Sequence, residues 1–326
     1  MQVKEKAEAQ AREVLEHYRQ MKLIRVFEER SGEMYMAGKV RGFLHLYIGE
    51  EAIAVGVASA MEPQDYIITH YRDHGHALAR GLEPRKVMAE LFGRATGVSL
   101  GRGGSMHLFD SSRNFAGGHA IVGGHLPLAA GLAMASKQLG EERVIVVFFG
   151  DGALNEGEFH EVMNLTSVWK LPVLFLLENN FYGMGSHIDR TFAGGEEVYR
   201  IADRYRIPSQ RIDGMNVVEV REAALRAMER VRAGDGPYFL EAVTYRFQGH
   251  SMADPVTYRE REEAEQWKLR DPILLARTRL LDTGQATQET LALVDEEVEA
   301  VVDDAIQFAE SSPEPDPESL FDHTYA

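Results

Sequence analysis

The chain contains no cysteine among its 326 residues. This absence excludes disulfide bonds, a thiolate metal site and a cysteine nucleophile. It is compatible with a reducing compartment, where disulfide bonds are rare. Any chemistry of the protein must therefore depend on oxygen and nitrogen groups rather than on thiols.

Positive charge and long apolar runs are also scarce. Lys and Arg together number 35 against 51 Asp and Glu, which gives a formal net charge of -16. Nucleic acids and anionic membranes are bound by basic surfaces, so we expect neither as a partner. No apolar stretch approaches the length of a membrane span, and the N-terminal segment resembles neither a secretory signal nor a transit peptide. We therefore expect a cytoplasmic protein.

Apolar residues make up 44% of the chain, which is enough to bury a large core. Segments with strand and helix patterns alternate along the sequence, and this order predicts an α/β fold. We predict a single domain over residues 1–326. Within it, residues 1–40 are predicted to form a helical arm, and residues 270–326 two helices and an extended tail.

The most informative stretch is a strand-helix-strand unit in the middle of the chain. Val144–Phe149 is an unbroken apolar run, which predicts a strand covered on both faces, and Gly-Asp-Gly follows it at residues 150–152. A second run, Val173–Leu177, is followed by Asn180, and the residues between the runs have helical spacing. Crossovers of this kind are right-handed, so both strands end at the same edge of the sheet. Asp151 and Asn180 are therefore predicted to meet.

This meeting predicts a metal site. A carboxylate and an amide oxygen suit a hard octahedral ion such as Mg²⁺, which prefers to share phosphate oxygens rather than complete its shell from protein. Ligands of open parallel sheets bind just beyond the carboxyl ends of the strands. Gly150 and Gly152 would let the backbone approach a diphosphate without a Cβ in the way. The sequence therefore predicts a magnesium–diphosphate site.

Other segments are predicted to reach the same edge. The strand Asp65–His70 delivers Arg72, whose forked donors suit a diphosphate. A strand over Pro237–Tyr245 delivers Arg246. The glycine-rich residues 97–131, with three histidines, precede the metal strand and are predicted to form a loop that cradles a cofactor.

Several motifs resemble the alpha subunit of the decarboxylating component of 2-oxo acid dehydrogenase complexes, and they cover nearly the whole chain. They are HLYIGEEA, YRDHGHALARG, GRGGSMHLF, IVGGHLPLAAG, the unit from GDG to NN followed by YGMG, and TYRFQGHSMADP. HSMADP and ENNFYGMG are more similar to the pyruvate enzymes than to the branched-chain or acetoin enzymes. The resemblance implies the thiamine-diphosphate-binding fold, an α/β fold with a mostly parallel sheet flanked by helices on both faces.

The resemblance also assigns residues to thiamine diphosphate and Mg²⁺. It implies that the ion is bound by Asp151, Asn180 and the main-chain carbonyl of Tyr182. The further cofactor contacts that it implies are Tyr71, Arg72, Val122, Gly152, Ala153, Arg246 and His250. The sequence departs from the family pattern in GGHAIVGGHL, where His119, Ala120 and His125 change details of the cradle but not the metal ligands.

The implied reaction is the oxidative decarboxylation of pyruvate, with transfer of the acyl group to a lipoyl group of the next component. His45 and His74 fall where histidines of this family face the substrate, and His250 falls near the reacting carbon. His250, helped by His74, would move protons and form a hydrogen bond to a developing alkoxide. The glutamate that activates the cofactor belongs in this family to a separate beta subunit. We therefore expect two alpha and two beta chains, a lipoyl-bearing acyltransferase partner, and no activity in the isolated chain.

Three alternatives remain open. The same fold would serve a branched-chain 2-oxo acid or acetoin, and substrate profiling would decide between them. A nicotinamide-dependent dehydrogenase also uses glycine turns, but the chain lacks G-x-G-x-x-G between a strand and a helix with an acid after the next strand. A non-catalytic assembly subunit would not be expected to keep the whole set of Asp151, Asn180, Arg72 and His250.

Overall fold

The computed structural model describes the backbone of residues 2–195 and 197–322, and the side chains from residue 12 onward in these ranges. The ends of the predicted domain, residues 1 and 323–326, lie outside them. The strands are β1 (Tyr66–His70), β2 (Phe115–His119), β3 (Ile145–Gly150), β4 (Val173–Asn179), β5 (Tyr182–Gly183), β6 (Ser186–His187), β7 (Ser209–Asp213) and β8 (Tyr238–Val243). Six of them form one sheet in the order β2-β1-β3-β4-β8-β7, and every pair is parallel. β5 and β6 form a small antiparallel hairpin.

Helices cover both faces of this sheet. They are α1 (Gln2–Met36), α2 (Glu51–Ala60), α3 (His74–Ala79), α4 (Pro84–Leu91), α5 (Leu126–Leu139), α6 (Gly157–Val168), α7 (Val217–Arg232), α8 (Arg261–Lys268), α9 (Pro272–Asp282) and α10 (Gln288–Ser311). In the part of the chain that the structure describes, none of them is both long and apolar enough to cross a membrane. The predicted α/β class, with a parallel sheet between two helical layers, is confirmed.

The side chains of β3 alternate between two cores. Val146 and Phe148 share one core with residues of α1, α2, α4, α7 and α10, whereas Val147 and Phe149 share the other with α5 and α6. All four side chains are fully buried. Burying one such side chain stabilises a fold by about 1.5–3 kcal/mol relative to leaving it exposed. The unbroken apolar run is thus explained by a strand that is covered on both faces.

The predicted strand-helix-strand unit is present. β3 and β4 pair in register from Ile145 opposite Val173 to Gly150 opposite Glu178, and α6 connects them. The strand order reverses between β1 and β3, because the chain continues from β1 to β2 on one side and later enters β3 on the other. Loops diverge at such a switch point and leave a crevice in which ligands bind. The segments that follow β1, β3, β4 and β8 surround this crevice.

The N-terminal residues form one long helix rather than two shorter ones. Tyr18 of α1 donates a hydrogen bond to Asp295 of α10 at 2.8 Å, and Arg30 forms an ion pair with Asp303 of the same helix at 2.6 Å. The helix ends before Gly38, whose φ of 74° is in the left-handed region that favours glycine. The predicted arm therefore packs along the C-terminal helix.

Some local expectations were wrong. The glycine-rich stretch that was predicted as a loop contains β2, whose residue Phe115 pairs with Ile67 at the sheet edge. The tail that was predicted to be extended ends in a short 3₁₀ helix over Pro317–Phe321, because proline is tolerated in a first turn and the side chain of Asp316 accepts the N–H of Glu318 at 2.9 Å. α8 lies in a charge-dense segment for which the sequence predicted no helix.

Candidate active site

Oxygen donors from two neighbouring strand ends meet at the crevice. Asp151 follows β3 and is buried, and Asn180 follows β4, where its Oδ1 accepts the backbone N–H of Tyr182 at 3.2 Å. Burial raises the pKa of the Asp151 carboxyl group to about 7, and the charge of Glu50 also raises it, although Arg246 opposes the shift. A nearby cation lowers the pKa of a carboxyl group, so a metal ion here would favour the ionised form of Asp151.

The two loops that carry these donors touch each other. A Cβ added at Gly152 would lie 3.7 Å from Cα of Gly183, and one added at Gly183 would lie 3.7 Å from Oδ2 of Asp151. Gly183 directly follows Tyr182, so the main-chain carbonyl of Tyr182 is carried toward the end of β3. Ala153, which was predicted to line the cofactor, is buried in the core below. The structure thus brings the three predicted metal ligands together.

Two buried arginines border this group. The guanidinium of Arg246 donates to the carbonyl of Tyr182 at 3.4 Å. That of Arg72 donates to the carbonyls of Leu46 and His250 at 2.8 and 2.9 Å. Burial lowers the pKa of Arg72, and the charge of Arg246 lowers it further. Two cations that are buried close together favour an anion beside them, as a diphosphate would be.

Two histidines contact Tyr71 and each other, and we refer to them as the open histidine pair, His45 and His250. The ring centroids lie 4.6 Å (His45–Tyr71), 5.6 Å (Tyr71–His250) and 5.2 Å (His45–His250) apart. Nδ1 of each histidine is buried and has no hydrogen-bond partner among the described residues. Burial and then the charge of Arg72 lower the pKa of His45 to about 2 and that of His250 to about 3. Both rings are therefore neutral and can bond to a ligand.

His74 is not part of this group. It is fully buried, and its Nδ1 lies 2.8 Å from a carboxylate oxygen of Glu28, while its Nε2 lies 3.0 Å from the hydroxyl of Ser105. Burial tends to lower the pKa of His74, but the charge of Glu28 outweighs it and raises the pKa. Both ring nitrogens are already bonded to the protein, which separates His74 from the open histidine pair.

Next to Arg72 lies a second pair, His70 and His76, which we refer to as the closed histidine pair. Nε2 of His70 lies 2.6 Å and Nε2 of His76 lies 3.0 Å from the carboxylate of Glu178, which also accepts the hydroxyl of Tyr47. These three groups have the spacing of a metal site. However, Nδ1 of His70 accepts the N–H of Arg72 at 3.1 Å, so the proton of His70 is on Nε2. A protonated nitrogen cannot bind a metal, and we interpret the cluster as a completed hydrogen-bond network.

The glycine-rich segment contributes a turn between β2 and α5. Val122 lies in this turn and is 39% exposed, while Ala120 is half-buried beside His119. The ring of His119 stacks on that of His125 with centroids 6.0 Å apart. His125 is buried, and its Nε2 donates to the carbonyl of Phe148 in β3 at 2.7 Å. The departures from the family pattern therefore pack against the end of β3.

Sequence reasoning missed several buried carboxylates, and three of them are Glu50, Glu90 and Glu178. Glu90 of α4 accepts the backbone N–H groups of Ser99, Gly101, Gly103 and Gly104 at 2.7 to 3.1 Å and thereby shapes the glycine-rich loop. Each of the three lies within or next to an apolar stretch, and an acid in such a position was the available signal. The partners of Glu50 and Glu178 come from distant segments and have no signature in the sequence, whereas those of Glu90 lie within the following 14 residues.

The fold and this crevice define a class of protein. It is a parallel α/β protein whose switch point carries oxygen atoms that can bind a cation and guanidinium groups that can bind an anion. Within that class, the family model of the dehydrogenase E1 component matches residues 19–318, and the chain belongs to this family.

Three relatives share the name pyruvate dehydrogenase E1 component subunit alpha. The protein of Rhizobium meliloti (strain 1021) is 46% identical over 316 residues, which cover 97% of this chain and 90% of the relative. The protein of Zymomonas mobilis is 47% identical over 315 residues, with coverage of 96% and 88%. That of Porphyra purpurea is 43% identical over 316 residues, with coverage of 95% and 92%.

Proposed function

We propose that the chain is the alpha subunit of a pyruvate dehydrogenase, which decarboxylates pyruvate oxidatively and transfers the acetyl group to a lipoyl group. The observation that carries this proposal is the convergence of Asp151, Asn180 and the Tyr182 loop beside two buried arginines, in a chain of the dehydrogenase E1 family. The names of the relatives favour pyruvate over branched-chain 2-oxo acids and acetoin.

The proposed cofactor is thiamine diphosphate with Mg²⁺, which membership of the family supports. A carboxylate, an amide oxygen and a main-chain carbonyl are hard ligands that suit this ion and leave positions for phosphate oxygens. Asp151, Asn180 and Tyr182 would hold the ion. The residues that would contact the cofactor itself are Tyr71, Arg72, Val122, Gly152, Ala153, Arg246 and His250.

Bound thiamine diphosphate supplies the electron sink that no side chain can provide. The open histidine pair supplies hydrogen bonds, because His45 and His250 are neutral and each carries one donor and one acceptor nitrogen. His250 would donate to the substrate oxygen that gains negative charge, and a positioned acid–base group of this kind contributes about 10²–10⁴-fold in rate. His74 would first have to lose its bond to Glu28 or Ser105, so the catalytic role predicted for it is assigned to the open histidine pair.

The proposed partners follow from the same assignment. A beta subunit would complete the site in an assembly of two alpha and two beta chains, and a lipoyl-bearing acyltransferase would accept the acyl group. Phe43 beside His45, and Ile121 and Val122 in the β2–α5 turn, are apolar and exposed, which suits coverage by another chain. We further propose that residues 1–326 form one cytoplasmic domain, including the arm and the C-terminal part, and that the isolated chain is inactive.

Calorimetric binding of thiamine diphosphate, with and without Mg²⁺, tests the proposal on the chain assembled with its beta subunit. Asn179 and Asn180 provide a matched pair, because Asn179 bonds Glu241 at 2.7 Å rather than facing the proposed metal ligands. We expect Asn180→Ala and Asp151→Ala to abolish the binding that depends on Mg²⁺ and Asn179→Ala to retain it. A wild-type assembly that binds no thiamine diphosphate would contradict the proposed function.

Substrate profiling of the same assembly separates pyruvate from its alternatives. We expect the highest kcat/KM with pyruvate, and lower values with branched-chain 2-oxo acids and with acetoin. A higher kcat/KM with either alternative would retain the cofactor assignment but change the substrate.

A further inference from the structure

Two consecutive buried glutamates at the start of α2 face different partners. Glu51 forms an ion pair with Arg25 at 2.6 Å and accepts the N–H of Gly49 at 3.0 Å. Glu50 lies toward the crevice, where its Oε1 accepts a hydrogen bond from Nδ2 of Asn180 at 3.0 Å. Both residues are at most 1% exposed. One carboxylate therefore serves the core and its neighbour reaches the candidate site.

We propose that Glu50 is a positioning residue that orients Asn180 for Mg²⁺ and holds Arg72 for the diphosphate. The inference rests on the function proposed above and deepens it. Glu50 acts through these two partners, as residues behind metal ligands commonly do.

The first step concerns the amide of Asn180. The NH₂ group of Asn180 faces Glu50, whose Oε1 accepts its hydrogen bond at 3.0 Å. Oδ1 of Asn180 is thereby directed to the opposite side, where it accepts the N–H of Tyr182 at 3.2 Å. An amide oxygen has two lone pairs, and the second is available to a cation. Glu50 and the N–H of Tyr182 together thus select the amide orientation in which Asn180 can be a metal ligand.

The second step concerns Arg72. Oε2 of Glu50 accepts no hydrogen bond from the described residues and lies 3.6 Å from Nε of Arg72. The terminal nitrogens of Arg72 donate to the carbonyls of Leu46 and His250, which are uncharged acceptors. Glu50 is therefore the carboxylate that forms an ion pair with this buried guanidinium. One side chain joins a predicted metal ligand to a predicted diphosphate contact.

The backbone that carries Glu50 packs against the segment that follows β8. Gly49 has a φ of 105°, and a Cβ there would lie 2.3 Å from the carbonyl oxygen of Tyr245. The N–H of Phe247 donates to the carbonyl of Ile48 at 3.0 Å. A side chain on a segment that is packed and hydrogen-bonded in this way can fix the orientation of its partners.

The affinity for Mn²⁺ tests this inference without a measurement of activity. The wild type, Glu50→Ala, Glu50→Gln and Glu51→Gln would each be assembled with the beta subunit and saturated with thiamine diphosphate, and free Mn²⁺ would be measured by electron paramagnetic resonance. We expect Glu50→Ala to weaken Mn²⁺ binding about 10–100-fold. Glu50→Gln keeps an acceptor oxygen at the same place and should recover part of this loss. Glu51→Gln, the matched control, should leave the Mn²⁺ affinity unchanged.

Thermal unfolding of each metal-free assembly would show whether the variants fold, and Glu50→Gln keeps the test available if Glu50→Ala does not. Wild-type Mn²⁺ affinity in both Glu50 variants would overturn the inference. An equal loss of affinity in Glu51→Gln would also overturn it, because the effect would then be a general weakening of the start of α2. Failure of the proposed function gives a different result, in which the wild type itself binds no Mn²⁺ with thiamine diphosphate.

Discussion

The two histidine pairs lie close together but differ in what their ring nitrogens do. In the closed histidine pair, His70 and His76 bond the same carboxylate, that of Glu178. In the open histidine pair, Nδ1 of His45 and of His250 has no partner among the described residues. His45 and His70 are almost equally buried, at 6% and 9% exposed. Burial alone therefore does not distinguish a structural histidine from one that is available to a ligand.

The charged neighbours explain the difference. The charge of Arg72 acts on His70 as well as on His45 and His250. The difference is the buried carboxylate of Glu178, which lies between the rings of the closed pair and accepts their hydrogen bonds, whereas no carboxylate among the described residues accepts from the rings of the open pair. A buried polar atom without a partner costs about 1–3 kcal/mol. Such atoms are uncommon in folded proteins and call for an explanation, which the proposed ligand would provide. The predictions below test this contrast.

The largest effect is expected from Glu178→Ala, which breaks the closed pair. The change removes the shared acceptor of His70, His76 and Tyr47 and leaves their polar groups buried, so we expect the free energy of unfolding to fall by about 3–5 kcal/mol. Denaturant unfolding of the assembled protein measures it. Glu265→Ala, at an exposed glutamate of α8, serves as control and should cost less than about 1 kcal/mol. A loss for Glu178→Ala no larger than that of the control would mean that the network contributes little.

The next effect is expected from His250→Ala, which removes one ring of the open pair. The backbone carbonyl that accepts from Arg72 remains, so we expect the free energy of unfolding to change by less than about 1 kcal/mol. Pyruvate decarboxylation by the assembly should fall by at least about a hundredfold, because the ring would supply the hydrogen bond to the substrate. His160→Ala, at an exposed histidine of α6, is the control and should retain activity. Equal activity in the two variants would refute the role of His250.

The sequence predicts those features of the site that follow from local patterns of apolar residues. Two apolar runs with a helical segment between them predicted that Asp151 and Asn180 meet, because a right-handed parallel crossover places the ends of both strands at the same edge of the sheet. Arg72 was predicted at the same edge because it follows the strand Asp65–His70, and the resemblance implied Tyr71 as a cofactor contact. Strand β2 was missed, since its two glycines weaken a strand signal that only pairing with β1 restores.

The division between open and closed histidines could not be predicted. His70 and Glu178 are 108 residues apart in sequence, and their bond depends on the ends of β1 and β4, which lie on either side of β3 in the sheet. His74 was predicted to face the substrate from its place in a motif, yet its two nitrogens bond Glu28 and Ser105. Whether both ring nitrogens of a histidine have hydrogen-bond partners depends on the folded core, and no periodic pattern in the sequence indicates it.

A smaller effect is expected from pH at His125, which combines features of both pairs. Its Nε2 donates to Phe148, whereas its Nδ1 has no partner among the described residues, and burial lowers its pKa to about 3. The unfolded chain, with a histidine pKa of about 6.5, binds the extra proton first, so the stability that neutral His125 contributes is complete above that pH and is lost as the pH falls. Relative to His125→Gln, the wild type should lose about 2 kcal/mol between roughly pH 7 and pH 5. The prediction would be contradicted if the free energy of unfolding changed equally with pH in the wild type and in His125→Gln over this range.

The smallest effect is expected from two matched tyrosine changes, which separate the two pairs by a single hydroxyl group. Tyr47→Phe removes the hydroxyl that donates to Glu178, so it should lower the free energy of unfolding by about 1–2 kcal/mol and leave the affinity for thiamine diphosphate unchanged. Tyr71→Phe retains the ring that contacts His45 and His250, so it should leave stability unchanged. If its hydroxyl contacts the diphosphate, the affinity should fall by about 5–10-fold, the equivalent of one hydrogen bond. Denaturant unfolding and calorimetric binding of both variants measure these effects. If the two pairs are separate, Tyr47→Phe loses only stability and Tyr71→Phe loses only affinity. The same loss of stability and of affinity in both variants would show that the two pairs form a single unit.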